Sequence, residues 1–207
     1  MSRSGGSSRR WRDRQESDPY VERARQEGWR ARAVYKLQEL DRRERFLRRG
    51  IVCVDLGASP GSWSQYALQR IGPTGRVIAI DLLAMDPIAG VEFLQADFTD
   101  PAVVADLLAR CGDRTAELVL SDMAPNISGN RDIDQPRSMQ LAEEALEFAS
   151  EVLQPGGDFV VKLFQGSGVD EYVAEARRRF AKAKLVKPRA SRAASREIYL
   201  LARRYGL

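Results

Sequence analysis

Histidine is missing from this 207-residue chain. Without it no Ser-His-Asp or Cys-His nucleophile system can be built, and the common His-bearing metal sites are excluded. General acid–base chemistry falls to Asp, Glu, Lys, Tyr or Cys. Cysteine is scarce as well. Cys53 and Cys111 stand 58 positions apart, which gives neither a CxxC pair nor a disulfide framework. No apolar run is long enough to span a bilayer, and no signal peptide is recognisable. These absences predict a cytoplasmic protein with no metal and no membrane partner, monomeric by default. A content of 43% hydrophobic residues is enough for one good-sized core.

Charge is present but unevenly placed. The net charge of +4 is the remainder of three regions. Residues 1–49 hold 15 basic and 8 acidic side chains, net +7; residues 50–171 hold 7 and 19, net −12; residues 172–207 hold 11 and 2, net +9. A single arginine is usually just a solvated charge. Segregation on this scale, with arginine dominating both ends, favours a nucleic-acid partner, because guanidinium groups bind phosphate bidentately and stack on bases. An anionic membrane would want an amphipathic helix with an apolar face, and the stretch Arg3 to Arg14 offers only Trp11.

Residues 1–18 are rich in Ser, Gly and Arg with almost nothing to bury, and read as a mobile basic tail ahead of a single domain, 19–207. Helical spacing of Val34, Leu37 and Leu40 predicts one or two helices before Gly50. Short apolar runs then alternate with helical patterns. The strands are predicted at 51–56, 76–83, 91–95, 118–120, 159–164, 184–187 and 198–202, and the helices at 63–70, 101–110, 135–153 and 169–181. Fully apolar strands alternating with helices mean a parallel sheet covered on both faces, an α/β doubly wound architecture.

Ligands in such sheets sit beyond the carboxyl ends of the strands. Asp55, Asp81, Asp97 and Asp122 end or follow the first four strands, and Gly57-Ala58-Ser59-Pro60-Gly61 follows the first. The glycines let the backbone approach a nucleotide-like ligand closely, yet the spacing is not GxGxxG. Asp81, 26 positions beyond Asp55, is placed to accept from ribose hydroxyls, and Asp97 to meet an adenine amino group. Acids around a glycine loop without a Walker lysine disfavour a polyphosphate and suit a cationic, ribose-containing cofactor, S-adenosylmethionine. Lys162 lies within the apolar strand FVVKLF, a costly place for an ammonium unless it is paired. Asp122 is its natural neighbour. If the last strand runs antiparallel, Glu197 starts it at the same edge. Lys36, in AVYKLQEL, reads by itself as an ordinary helix lysine.

Lys36, Asp122, Lys162 and Glu197 fall in the order K-D-K-E. With RARAVYKLQELD, VDLGASPGSWSQY, SDMAPNISG, VVKLFQG and SREIYLLA around them, the chain from about Tyr20 to Ala202 closely resembles the FtsJ family of RNA ribose 2′-O-methyltransferases, also called ribosomal RNA large subunit methyltransferase E. The resemblance implies a Rossmann-like methyltransferase fold, a mostly parallel seven-stranded sheet with an antiparallel last strand. It implies methylation of a uridine 2′-hydroxyl in the A-loop of 23S ribosomal RNA, in the large ribosomal subunit, using S-adenosylmethionine. By position Gly61, Trp63, Asp81, Asp97 and Asp122 match the family's cofactor contacts, and Lys162 its principal catalytic residue. Lys162 is then either a neutral base taking the hydroxyl proton or an ammonium holding the oxygen, with Asp122 and Glu197 orienting it and Lys36 aligning the ribose. An amino-methyltransferase, suggested by the DPPY-like Asp122-Met123-Ala124-Pro125, lacks the aromatic after Pro125 that would stack on a flipped base. Cap or transfer-RNA 2′-O-methyltransferases share the tetrad; an assembly factor without turnover would not need it; a nicotinamide dehydrogenase fails on the loop spacing.

Overall fold

The structure, a computed structural model, describes residues 18–111 and 115–207. The predicted tail lies outside the described residues except for Asp18, whose side chain caps the first helix by accepting from the Tyr20 amide. Two helices come first, α1 (Pro19–Gln26) and α2 (Val34–Glu44). Then follow β1 (Val52–Leu56), α3 (Ser62–Ile71), β2 (Arg76–Asp81), β3 (Val91–Gln95), α4 (Pro101–Cys111), β4 (Ala116–Ser121), α5 (Arg131–Val152), β5 (Leu153–Phe164), α6 (Val169–Arg179), β6 (Phe180–Val186) and β7 (Glu197–Tyr205).

The strands form one sheet in the order β3-β2-β1-β4-β5-β7-β6. β7 runs antiparallel to both its neighbours and every other pairing is parallel, as expected from the sequence. All five residues of β1 are buried, because helices cover both faces of a central parallel strand. One apolar layer joins alternate strand residues (Val54, Val119, Val161, Leu200) to α4, α5 and α6. The other joins the remaining set (Cys53, Leu118, Val160, Tyr199) to α1, α2 and α3. Among the described residues no helix is long and apolar enough to cross a membrane.

Boundaries differ from the sequence pattern where tertiary pairing intervenes. α5 starts at Arg131, a turn earlier than its apolar periodicity, because the Asn130 side chain caps it by accepting from the Asp132 amide. β5 starts at Leu153, where Pro155-Gly156-Gly157 suggested a stop; Leu153 pairs with Ala116 and the register then shifts before Asp158 meets Leu118. A bulge of this kind absorbs turn-forming residues without ending the strand. The edge strand β6 begins at Phe180, four residues before the predicted start, because its middle is exposed and carries little apolar signal.

Candidate active site

Successive strand residues point to opposite faces of a sheet. In β5, Val160 belongs to the layer under α1–α3, so Lys162, two residues on, points to the same side. Tyr199 of β7 also lies in that layer, and Glu197 shares its parity. Asp122 directly follows β4, two residues beyond Leu120 of the same layer. In the antiparallel register Lys162 sits opposite Tyr199 and Phe164 opposite Glu197. Four polar residues from three strand ends therefore converge beneath α2. Lys36, in the first turn of α2, completes the group: its Nζ lies 2.9 Å from each carboxylate oxygen of Glu197.

Lys162 Nζ donates to the Asp122 main-chain oxygen at 2.5 Å and lies 3.2 Å from Asp122 Oδ1. The Tyr199 hydroxyl donates to the same Oδ1 at 2.6 Å. Burial would raise the Asp122 carboxyl, but the Lys162 and Lys36 charges and the Tyr199 hydrogen bond outweigh it and hold the group below its usual range. Burial, then the charges of Asp122 and Glu197, push the Tyr199 phenol well above its ordinary value, so it serves as a donor. Lys36, Lys162 and Glu197 are all buried. Removing such charges from water costs several kcal/mol, roughly offset by pairing, so the cluster adds little to stability and points to chemistry.

Beside it, at the carboxyl ends of β1, β2 and β4, lies a cleft of about 610 Å³ whose lining includes Ser59, Asp81, Asp97, Asp122, Met123 and Asn126. Gly57, at φ +70°, has no room for a side chain, since a Cβ there would collide with Met123 Cγ. Asp81 is oriented by main-chain amides: Ser59 donates to Oδ2 at 2.8 Å and Leu83 to Oδ1 at 2.7 Å. Each oxygen keeps a lone pair for the cleft. Asp97 Oδ1 takes the Thr99 amide and hydroxyl at 2.9 and 2.7 Å. Asp55 lies buried beneath, accepting from Ser64 Oγ at 2.6 Å. Burial pushes it up to about 7, with the Ser64 hydrogen bond working against this and the charges of Asp122 and Asp81 adding to it. Among the described residues no group of three or more acidic or cysteine side chains is arranged to hold a metal ion.

A model of FtsJ-like methyltransferases matches residues 29–205. The chain belongs to the FtsJ-like methyltransferase family. A Plasmodium falciparum protein provisionally named a ribosomal RNA methyltransferase is 31% identical, with a TM-score of 0.78 over 86% of this chain and 98% of that one. Two more distant structures share the fold. One, a Clostridium thermocellum protein provisionally named an rRNA methylase, has 17% identity and a TM-score of 0.56, covering 82% and 97% of the two chains. The other, human methyltransferase-like protein 13 in complex with SAH, has 15% identity and a TM-score of 0.56, covering 84% and 80%.

In this FtsJ-like methyltransferase the tetrad expected from sequence is brought together, and Asp81, Asp97 and Asp122 line the cleft. Gly61 and Trp63 are not among the lining residues. Gly61, at φ +105°, leads into α3 under Met85, Ile88 and Arg30, all within 3.2 Å of where a Cβ would stand. The Trp63 ring lies 5.8 Å from that of Tyr199, and its indole N–H donates to the Ala33 carbonyl. Sequence reasoning missed Tyr199, although its place two residues after Glu197 puts it on the same strand face. It also missed Arg30, whose guanidinium donates to the carbonyls of Pro60, Asp86 and Pro87 and so ties the loop after β2 to the loop after β1. No local pattern marks such a staple, because its partners are backbone atoms 30 to 57 positions away.

Proposed function

We propose that this enzyme methylates a ribose 2′-hydroxyl of RNA using S-adenosylmethionine, and that its target is a uridine in the A-loop of 23S ribosomal RNA within the large subunit. One observation carries this reading: two lysines and two carboxylates, remote in sequence, meet as paired charges beside a cleft. The Plasmodium falciparum relative's name and the basic ends of the chain support an RNA target.

The cleft fits the cofactor chemically. In this reading Asp81, oriented by two main-chain amides, accepts from a ribose diol and Asp97 takes the adenine end; Gly57 lets the backbone come close, and the surrounding acids favour a cation. Gly61 lets the loop that carries Met85 pack close to the loop after β1, and Trp63 packs against the ring of Tyr199. S-adenosylmethionine supplies an electrophilic methyl group on a sulfonium. The protein's own work is then to hold the hydroxyl in line with that methyl, and orientation of this kind accounts for much of such a rate. Lys162, anchored twice by Asp122, directs its remaining N–H toward the ribose oxygen and fixes a lone pair for attack. Tyr199 and Asp122 keep it there. Glu197, held by Lys36 from α2, sets the far side of the ribose site. As the hydroxyl oxygen forms its bond to the methyl carbon, the bond from that carbon to sulfur would break with its electron pair staying on sulfur, S-adenosylhomocysteine would leave, and the hydroxyl proton would pass to water.

The test is incubation with methyl-labelled S-adenosylmethionine and protein-free ribosomal RNA, isolated large subunits and transfer RNA, followed by nuclease mapping. The expected result is label on a ribose oxygen of large-subunit RNA. Label on a base, or on transfer RNA alone, would overturn it.

A further inference from the structure

Helix α2 carries more than Lys36. Its outer side, with α1 and the loop between β6 and β7, walls a groove of about 510 Å³ lined by Tyr20, Arg23, Tyr35, Arg42, Arg43 and Arg189. Arg23 is paired with Glu27 at 2.7 Å. Arg42, Arg43 and Arg189 are exposed and make no ion pair among the described residues. The acid of the groove, Glu39, is drawn onto the main-chain amides of Arg189 and Ala190 at 2.7 and 3.3 Å, which fixes the loop against the helix. The tyrosine rings of α1 and α2 stand 5.3 Å apart, with the Arg23 guanidinium 4.6 Å from the Tyr35 ring.

Three unpaired guanidiniums around one concavity repel each other, and an anion relieves that repulsion. The groove shares its helix with Lys36, and at a rise of 1.5 Å per residue Arg42 lies only about 9 Å along the axis from it. That separation is within reach of the phosphates next to a nucleotide whose ribose sits at the tetrad. We infer that this groove binds the RNA backbone flanking the target nucleotide, an assignment that rests on the RNA reading above. A membrane surface fits poorly, because the feature is concave and its rim is polar rather than apolar.

The test compares wild type, the triple charge reversal Arg42→Glu/Arg43→Glu/Arg189→Glu, and Arg177→Glu as a control. Arg177 is exposed near the end of α6, which covers the opposite face of the sheet from α2. Filter binding to isolated large ribosomal subunits and to protein-free ribosomal RNA is measured across a salt series, with cofactor affinity measured alongside to show that the cleft is intact. The triple variant is expected to lose about tenfold or more in RNA affinity and to flatten the slope of log affinity against log salt by about 2 to 3. Its KM for RNA should rise while kcat at saturating RNA and the cofactor affinity hold. Binding indistinguishable from that of Arg177→Glu would overturn the groove. Loss of binding in the triple variant with label mapped to a base would keep the groove and overturn the ribose reading. No binding by wild type would overturn both.

Discussion

β4 divides the working edge of the sheet into two unlike flanks. On one side β2 ends in Asp81 and β3 leads to Asp97, carboxylates oriented by main-chain amides, and both line a cleft. On the other, α2 and β5 contribute Lys36 and Lys162, each already held by an acid, and beyond them lies a groove whose Arg42, Arg43 and Arg189 make no ion pair among the described residues. The first flank suits a cation and the second a polyanion. Asp122 stands at the junction, lining the cleft with one face and anchoring Lys162 with the other. A modest net charge thus conceals two opposed fields a few residues apart, one for each reactant.

If the flanks divide the labour, a change on one should leave the other's ligand alone. The largest effect is expected from Lys162→Ala, which should lower kcat by about 100- to 1000-fold, the range for removing a group acting at the reacting oxygen. Cofactor affinity measured by calorimetry should stay within a few-fold, which also shows that the variant is folded; intact turnover would remove Lys162 from the site. A pH–rate profile of the wild type separates its roles: an orienting ammonium gives no rise with pH that is lost on substitution, whereas a neutral base does.

Next comes Asp81→Asn on the opposite flank. Losing a charge-assisted acceptor worth about 1.5 to 3 kcal/mol should weaken cofactor binding by roughly 10- to 100-fold. RNA affinity should be unchanged, and an equal fall in both would merge the two flanks into one site.

The acidity of the first flank also depends on a buried third carboxyl. Asp55 is raised to about 7 by burial, so the native state keeps a proton that the unfolded chain sheds near pH 4. Its contribution is full below about pH 4 and is lost as pH rises through 7. Urea unfolding of wild type and Asp55→Asn should therefore diverge over this window, with wild type losing ground by at most about 1.4 kcal/mol per pH unit. A constant difference would mean that Asp55 is charged throughout.

Much of this was readable without coordinates. The strand order of acids, the glycine loop and the buried Lys162 are local signals, since strand ends and costly charges show in a linear pattern. Tyr199 was not readable, because an aromatic in an apolar strand looks like core until its hydroxyl is seen on Asp122. Lys36 had no local mark either. Only the fold shows that its ammonium is buried against a carboxylate 161 positions away.

The sequence by itself determined the sheet, the acids at its carboxyl edge and the absence of any histidine chemistry, because alternation and composition are properties of the chain. The tertiary structure decided which charges are paired and which are free. That depends on reversing β7, which brings Glu197 and Tyr199 to the ends of β4 and β5, and on laying α2 across them. Reactivity follows from those pairings, since an ion's worth is set by its partners and its access to water.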